Sequence, residues 1–314
     1  MTTQAQTSAN LFMVRPACFQ ANPHTLSSNA FQGNVTESSD VLRRRATEEF
    51  DAMVDALRAC GVRPLIFTDT AEPEKPDAVF PNNWISTHAD GTVILYPMET
   101  PSRRAERRAD IVVSLSEQHG FAIRRVVDLT DLEHRGLFLE GTGSLVLDRV
   151  ERLAYVGWSS RTHAAALAAF TAETGYAALS FHTADASGRP VYHTNVMMSI
   201  GSRYALICAE AIADAEVRVK VLRRLQDSGR ALVEISLQQM SAFAGNLLEI
   251  DLGTEGPLIA MSNSAFAALS ADQRGTLEGC GRLLPIPIET IETVGGGSVR
   301  CMIAEIFLPH GGGP

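Results

Sequence analysis

Long apolar runs are missing from this chain, and so is the basic-then-apolar opening of a secretion signal, because the first ten residues, MTTQAQTSAN, are polar. A bilayer span takes about 20 consecutive apolar residues, so no membrane partner is expected and the cytoplasm is the simplest location. Cysteine is sparse. Cys18, Cys60, Cys208, Cys280 and Cys301 lie far apart, with no CxxC pair and no Cys/His ligand spacing, which argues against a disulfide scaffold or a structural zinc site. Positive charge is in deficit, with 27 Lys and Arg against 36 Asp and Glu and a formal net charge of −9. Phosphate binding needs concentrated cations, so a nucleic-acid partner is not expected, whereas a small zwitterionic ligand remains open. At 314 residues, 45% hydrophobic and 20% charged, the chain can bury a substantial core. It is expected to form one catalytic domain over residues 1–314, with residues 1–10 flexible.

What the sequence does have is a recurring order of elements, visible in hydrophobic periodicity and turn residues. From Asn83, NWISTHADGTVILYP alternates like two short strands around a turn, followed by a helical pattern over Ser102 to His119 and a strand over Ala122 to Leu129. The succession restarts at Glu140, with GSLVLDRVERLAYVG, a helix over Arg161 to Thr174 and a strand over Ala177 to Phe181. It restarts at His193, with a helix over Ala215 to Asp227 and a strand over Ala231 to Leu237, and at Asn246, with a helix over Phe266 to Glu278 and a strand over Leu283 to Ile288. After Cys301 only MIAEIFLP remains, and the missing parts can come from the other end of the chain: Leu11 to Arg15, Asp40 to Ala59 and Pro64 to Thr68. The pattern implies an α/β fold of five units in a ring closed by the two terminal segments, which removes exposed sheet edges.

Asn83, Glu140, His193, Asn246 and Cys301 follow one another at intervals of 57, 53, 53 and 55 residues, each at the same phase of its unit. Equivalent positions in such a ring converge on its axis. Polar residues at strand starts also serve as turn or cap groups, a reading that suffices for Asn246 alone; Cys, His and Glu together point to a site.

These residues, with PDAVFPNNW, PSRRAERR, LEGTGS, GWSSRT, YHTNVM and GGGSVRCM in this order, make the chain resemble the guanidine-modifying superfamily of arginine deiminase, dimethylarginine dimethylaminohydrolase and the amidinotransferases. Within it the chain is most similar to the citrulline-utilisation hydrolase (CtlX) family. The resemblance covers nearly the whole chain and implies the pentein fold, a five-bladed α/β propeller. It implies Cys301 as nucleophile, His193 as general acid/base, Glu140 as the supporting carboxylate, and Arg103 and Arg161 as holders of the substrate carboxylate.

The residue types suit that chemistry. A guanidinium or ureido carbon is a poor electrophile, and covalent attack by a thiolate divides the difficult hydrolysis into two steps. Histidine can move the proton to the leaving nitrogen, and Glu140 can hold a substrate nitrogen or favour a charged His193 and, through it, a thiolate. Arginine offers a carboxylate two parallel hydrogen bonds; Arg161 is the stronger candidate, because among Arg103, Arg104, Arg107 and Arg108 most should face solvent. Gly295 to Gly297 either let the backbone approach a substrate or gate it, or are an ordinary loop. Phe80 and Trp84 wall the pocket or belong to the core.

Two positions depart from the arginine-processing relatives. Asn83 and Asn195 stand where those enzymes carry aspartates, and a buried cation without paired anions is costly. An amide donates and accepts, which fits a neutral ureido group. The expected reaction is citrulline to ornithine, ammonia and carbon dioxide. Arginine deimination or dimethylarginine hydrolysis is the alternative, followed by amidino transfer and by a non-catalytic binding role. The chemistry calls for no metal, nucleotide or flavin.

Overall fold

The computed structural model describes residues 5–26, 28–33 and 36–311. Five small three-stranded sheets recur along the chain, each built from an antiparallel pair and a parallel third strand. Ile85–Thr87, Thr92–Leu95 and Arg125–Asp128 form one; Leu145–Asp148, Leu153–Trp158 and Ala177–His182 the next. Met198–Ile200, Tyr204–Ile207 and Ala231–Glu234 form the third, and Leu248–Ile250, Leu258–Ser262 and Arg282–Ile286 the fourth. In the fifth, Leu11–Arg15 lies between Leu65–Thr68 and Ala304–Glu305, so the two ends of the chain share one sheet.

Burial explains the sequence pattern. The middle strands Tyr204–Ile207 and Leu258–Ser262 are buried throughout and therefore read as continuous apolar runs rather than alternating ones. The third strand of a unit, such as Arg125–Asp128, is largely exposed. Each parallel connection carries a helix on the outside. Ser39–Ala59 buries Leu42, Ala46, Phe50, Met53, Val54 and Leu57 as one stripe. The helix Ala215–Asp227 begins at Asp214, whose side chain accepts from the amides of Glu216 and Val217.

Two expected helices are each divided. The Ser102–His119 pattern becomes Pro101–Arg104 and Ala109–Glu117, because Arg103 turns inward to Glu106 while Arg108 reaches out to the Thr68 carbonyl. The Phe266–Glu278 pattern becomes Asn263–Ala268 and Ala271–Glu278. Ser270 and Gln273 cap each other's backbone there, a signal for a helix start that was present in the sequence. Beyond Cys301, among the described residues, only Ala304–Glu305 is strand.

The expected looseness of residues 1–10 does not extend to Gln6 and Ser8, which are buried. Gln6 Nε2 donates to the carbonyls of Leu147 (2.9 Å) and Ile200 (3.2 Å), and its Oε1 accepts from the Arg149 amide (2.8 Å). These are backbone groups of two different sheets that would otherwise lack partners. Residues 1–4 lie outside the described part. Among the described residues no helix is long and apolar enough to cross a membrane.

Candidate active site

Each of the five equally phased residues lies just ahead of the first strand of its unit. Asn83 ends the turn Pro81–Asn83 before Ile85, Glu140 precedes the turn Gly141–Ser144, and His193 precedes Thr194–Met197. Asn246 follows a left-handed Phe243 (φ 59°). Cys301 is set by a bond from its amide to the Ser298 carbonyl (2.9 Å), and the Ser298 hydroxyl donates to buried Glu292 (2.5 Å). Glycine lets these turns crowd together: a Cβ at Gly143 would come within 2.4 Å of Asn83 Nδ2 and 2.8 Å of His193 Nδ1. That close approach is the physical content of the LEGTGS string.

Glu140 Oε2 is 2.8 Å from His193 Nε2, with both side chains buried. Arg161 Nη1 lies 3.4 Å and Arg103 Nη1 3.7 Å from the same oxygen, while Oε1 accepts from the Glu99 amide at 3.0 Å. Burial alone would raise the Glu140 pKa, but Arg161, the His193 bond and Arg103 outweigh it and hold the carboxyl well below its usual range. An ionised carboxylate only accepts. His193 therefore carries its hydrogen on Nε2 and keeps Nδ1 as the basic nitrogen. Burial pushes His193 down to about 4 against the pull of Glu140, so the resting ring is neutral at pH 7, contrary to the expectation that Glu140 would keep it charged.

Nor does His193 hold the thiol. Among the described residues the side-chain hydrogen-bond partners of Cys301 Sγ are Asn246, with Nδ2 at 3.4 Å, and Asn195, with Nδ2 at 3.5 Å. Asn246, for which a cap role had sufficed, is thus part of the site, while its Oδ1 accepts from the Arg300 amide. Cys301 is 2% exposed.

Cys301, His193, Asn83, Arg103 and Arg161 line one cavity together with Asp77, Phe80, Tyr192 and Gly295–Gly297. Its free volume of about 10 Å³ holds no more than about one water, so the site is closed. A strap of the chain covers it: Ser28 Oγ accepts from Arg161 Nη2 (3.0 Å), Asn22 Nδ2 donates to Asp77 (2.7 Å), and Asn29 Nδ2 donates to the Gly296 carbonyl (3.1 Å). The glycine run is more than a loop, since a Cβ at Gly295 or Gly297 would meet the Phe80 ring at 2.9 Å and Gly296 has φ +64°. Phe80 walls the cavity, whereas Trp84 packs in the core against Phe12.

The two arginines differ. Arg103 is engaged by Glu106 through both Nε (3.0 Å) and Nη2 (2.9 Å) and donates from Nη1 to Asn83 Oδ1 (2.9 Å). Its fork is thereby occupied, and it braces Asn83 and Glu140. Arg161 Nε makes no hydrogen bond among the described residues but lies 3.5 Å from Glu99 Oε2, and the guanidinium stacks on Tyr192, 5.0 Å from the ring centre. Arg104 binds the carbonyls of Met98 and Glu99, Arg107 pairs with Glu133 and Arg108 with Asp110, so these three serve neighbouring backbone and acids. Sequence reasoning passed over Asp77. Its buried Oδ1 has no partner, and burial raises its pKa against the pull of Arg103. The unmatched aspartate inside PDAVFPNNW was the available signal.

The family model described as N,N dimethylarginine dimethylhydrolase, eukaryotic, matches residues 15–308. No curated protein matches the chain. Among solved structures, the N-terminal domain of ArgZ bound to substrate, an arginine dihydrolase from the ornithine-ammonia cycle in cyanobacteria, is similar at TM-score 0.70 and 20% identity, over 95% of this chain and 99% of that one. AgrE in a binary complex with L-arginine gives 0.69 and 20%, over 94% of this chain and 39% of that one. The dimethylarginine dimethylaminohydrolase (DDAH) from Pseudomonas aeruginosa, complexed with citrulline, gives 0.64 and 15%, over 95% and 99%. The structural likenesses establish the α/β fold of five small sheets, and with the match over residues 15–308 the chain belongs to the N,N dimethylarginine dimethylhydrolase family, hydrolases of carbon–nitrogen bonds.

Proposed function

We propose that this chain hydrolyses the ureido group of citrulline, giving ornithine, ammonia and carbon dioxide, with Cys301 as nucleophile. The observation that carries the reading is the pair of buried amides, Asn83 and Asn195, each with one atom lacking a partner: Asn83 Nδ2 and Asn195 Oδ1. One donates and the other accepts, as the carbonyl and NH2 of a neutral ureido group require. This substrate preference also supports the narrower membership in the citrulline-utilisation family. The pairing of the first and last strands in one sheet likewise supports five blades closed into a ring.

The thiol proton passes to His193 Nδ1 as sulfur adds to the ureido carbon. The same proton then moves to the departing nitrogen, ornithine leaves, and a carbamoyl-cysteine remains. Water, deprotonated by His193, adds to that carbon and releases carbamate, which decomposes to ammonia and carbon dioxide and returns the thiol. Arg161 takes the substrate carboxylate through its Nε, in exchange for the 3.5 Å ion pair with Glu99, and Asp77 takes the α-ammonium through Oδ1, which makes no hydrogen bond among the described residues. Both grips face the strap, which opens to admit substrate. Arg103 positions Asn83 and Glu140 rather than touching the carboxylate.

A second reading takes a guanidinium, of arginine or a methylated arginine, and is favoured by the anionic Glu140 behind His193 of the cavity wall and by the family match. Mass spectrometry of products from citrulline, arginine and methylated arginines, with the intact protein followed for an adduct, decides between the two. Ornithine from citrulline supports the ureido reading. Turnover of a guanidino substrate with citrulline left untouched overturns it, and unchanged activity in Cys301→Ala overturns the covalent route.

A further inference from the structure

Among the described residues no cation bonds the sulfur of Cys301. The nearby arginines are paired with Glu140 and Glu106, and its side-chain contacts among the described residues are neutral amides. The orientation of one of these amides is fixed by its surroundings. Asn246 Oδ1 accepts from the Arg300 amide (3.0 Å), and Asn246 Nδ2 donates to the Asn195 carbonyl (2.9 Å). Turning the group over would set oxygen against carbonyl and NH2 against N–H. The second Nδ2 hydrogen is therefore the one left for the sulfur, at 3.4 Å. Asn246 cannot back away, because it is fully buried and a Cβ at the preceding Gly245 would come within 2.2 Å of the Val196 carbonyl. Asn195 supplies the second donor at 3.5 Å.

We propose that Asn246 is a positioning residue for the reaction: with Asn195 it forms a two-amide cradle that stabilises Cys301 as a thiolate and holds the sulfur in place, doing with neutral donors what a charged histidine does elsewhere. Anions gain more from such donors than neutral thiols do, because hydrogen bonds to ionised groups are the stronger kind. The cradle rests on the reading of Cys301 as nucleophile. It accounts for a neutral asparagine, Asn246, at the phase that Glu140, His193 and Cys301 also hold.

The test is the rate of alkylation of Cys301 by iodoacetamide, followed peptide by peptide over a range of pH without substrate, in the full chain and in Asn246→Asp, Asn246→Ala and Asn195→Ala. The pH midpoint of that rate does not depend on how easily the probe enters. Removing the fixed donor should move the midpoint to higher pH and slow alkylation at neutral pH between about tenfold and about a hundredfold. Asn195→Ala leaves the backbone partners of Asn246 in place and should give a smaller shift in the same direction, so the comparison survives if an Asn246 variant fails to fold. With substrate, kcat of the Asn246 variants should fall while KM changes little. Midpoints equal to that of the parent in the folded variants overturn the cradle, even where turnover is lost. Because this measurement reads the sulfur alone, failure of the citrulline assay or retained turnover in Cys301→Ala defeats the proposed function separately.

Discussion

Glu140 and His193, which are 53 residues apart in sequence, meet at 2.8 Å in a buried bond that fixes which histidine nitrogen is free. Through it the carboxylate, itself held ionised by Arg161 and Arg103, leaves Nδ1 available as a base.

The depressed histidine gives a pH prediction. Between about pH 6.5 and about 4, the unfolded chain binds a proton at this site that the folded chain does not. The site's contribution to stability is therefore complete above the upper value and is lost as pH falls toward the lower one. Chemical denaturation at stepped pH should show the parent losing roughly 2–3 kcal/mol more across that window than His193→Asn. Equal losses would mean that His193 is not held neutral. The acid limb of kcat/KM should correspondingly lie near 4.

Gly143→Ala places a methyl group where Asn83 and His193 already meet, at 2.4 and 2.8 Å. Overpacking of this kind costs about 1–3 kcal/mol. The expected outcome is a folded enzyme with a lowered melting temperature and kcat reduced at least about a hundredfold, since a small displacement of reacting groups is enough for that.

Arg161→Lys keeps the charge beside Glu140 but removes the planar fork. KM for the amino acid should rise about tenfold or more, with a smaller effect on kcat. The same change at Arg103 removes the bidentate pair with Glu106 and should instead lower kcat and stability together, through loosening of Asn83. Steady-state kinetics of both variants, with thermal melts, separates the two roles.

Gln6→Ala leaves the Leu147 and Ile200 carbonyls and the Arg149 amide without their partner. The loss should be about 1–3 kcal/mol in denaturant unfolding. Activity per folded molecule should be unchanged, because Gln6 does not line the catalytic cavity.

Much of this architecture was legible in the residues themselves. The helix Ala215–Asp227 and the strand Leu11–Arg15 lie where hydrophobic periodicity put them, because each buries one stripe or one run and is bounded by a local signal. The divided helices were less legible. Ser270 and Gln273 announced a restart, but the break after Arg104 depends on Arg103 turning inward to Glu106 and on Arg108 finding the Thr68 carbonyl in another unit, and the second of these no local pattern encodes.

By itself, then, the sequence determined the repeat, its phase, and the identity of the residues at the head of each unit, because alternation, turn glycines and caps act over a few neighbours. Only the tertiary structure decided how those residues divide the work. Arg103 and Arg161 look alike in sequence, yet Arg103 is held by two hydrogen bonds to Glu106, whereas Arg161 Nε makes none among the described residues and only approaches Glu99 at 3.5 Å. His193 is neutral because the folded chain removes it from water, and Cys301 rests against Asn246 and Asn195 rather than against histidine. Burial, and for His193 and Cys301 pairing across 50 or more residues, set these outcomes, and both exist only once the sheets have come together.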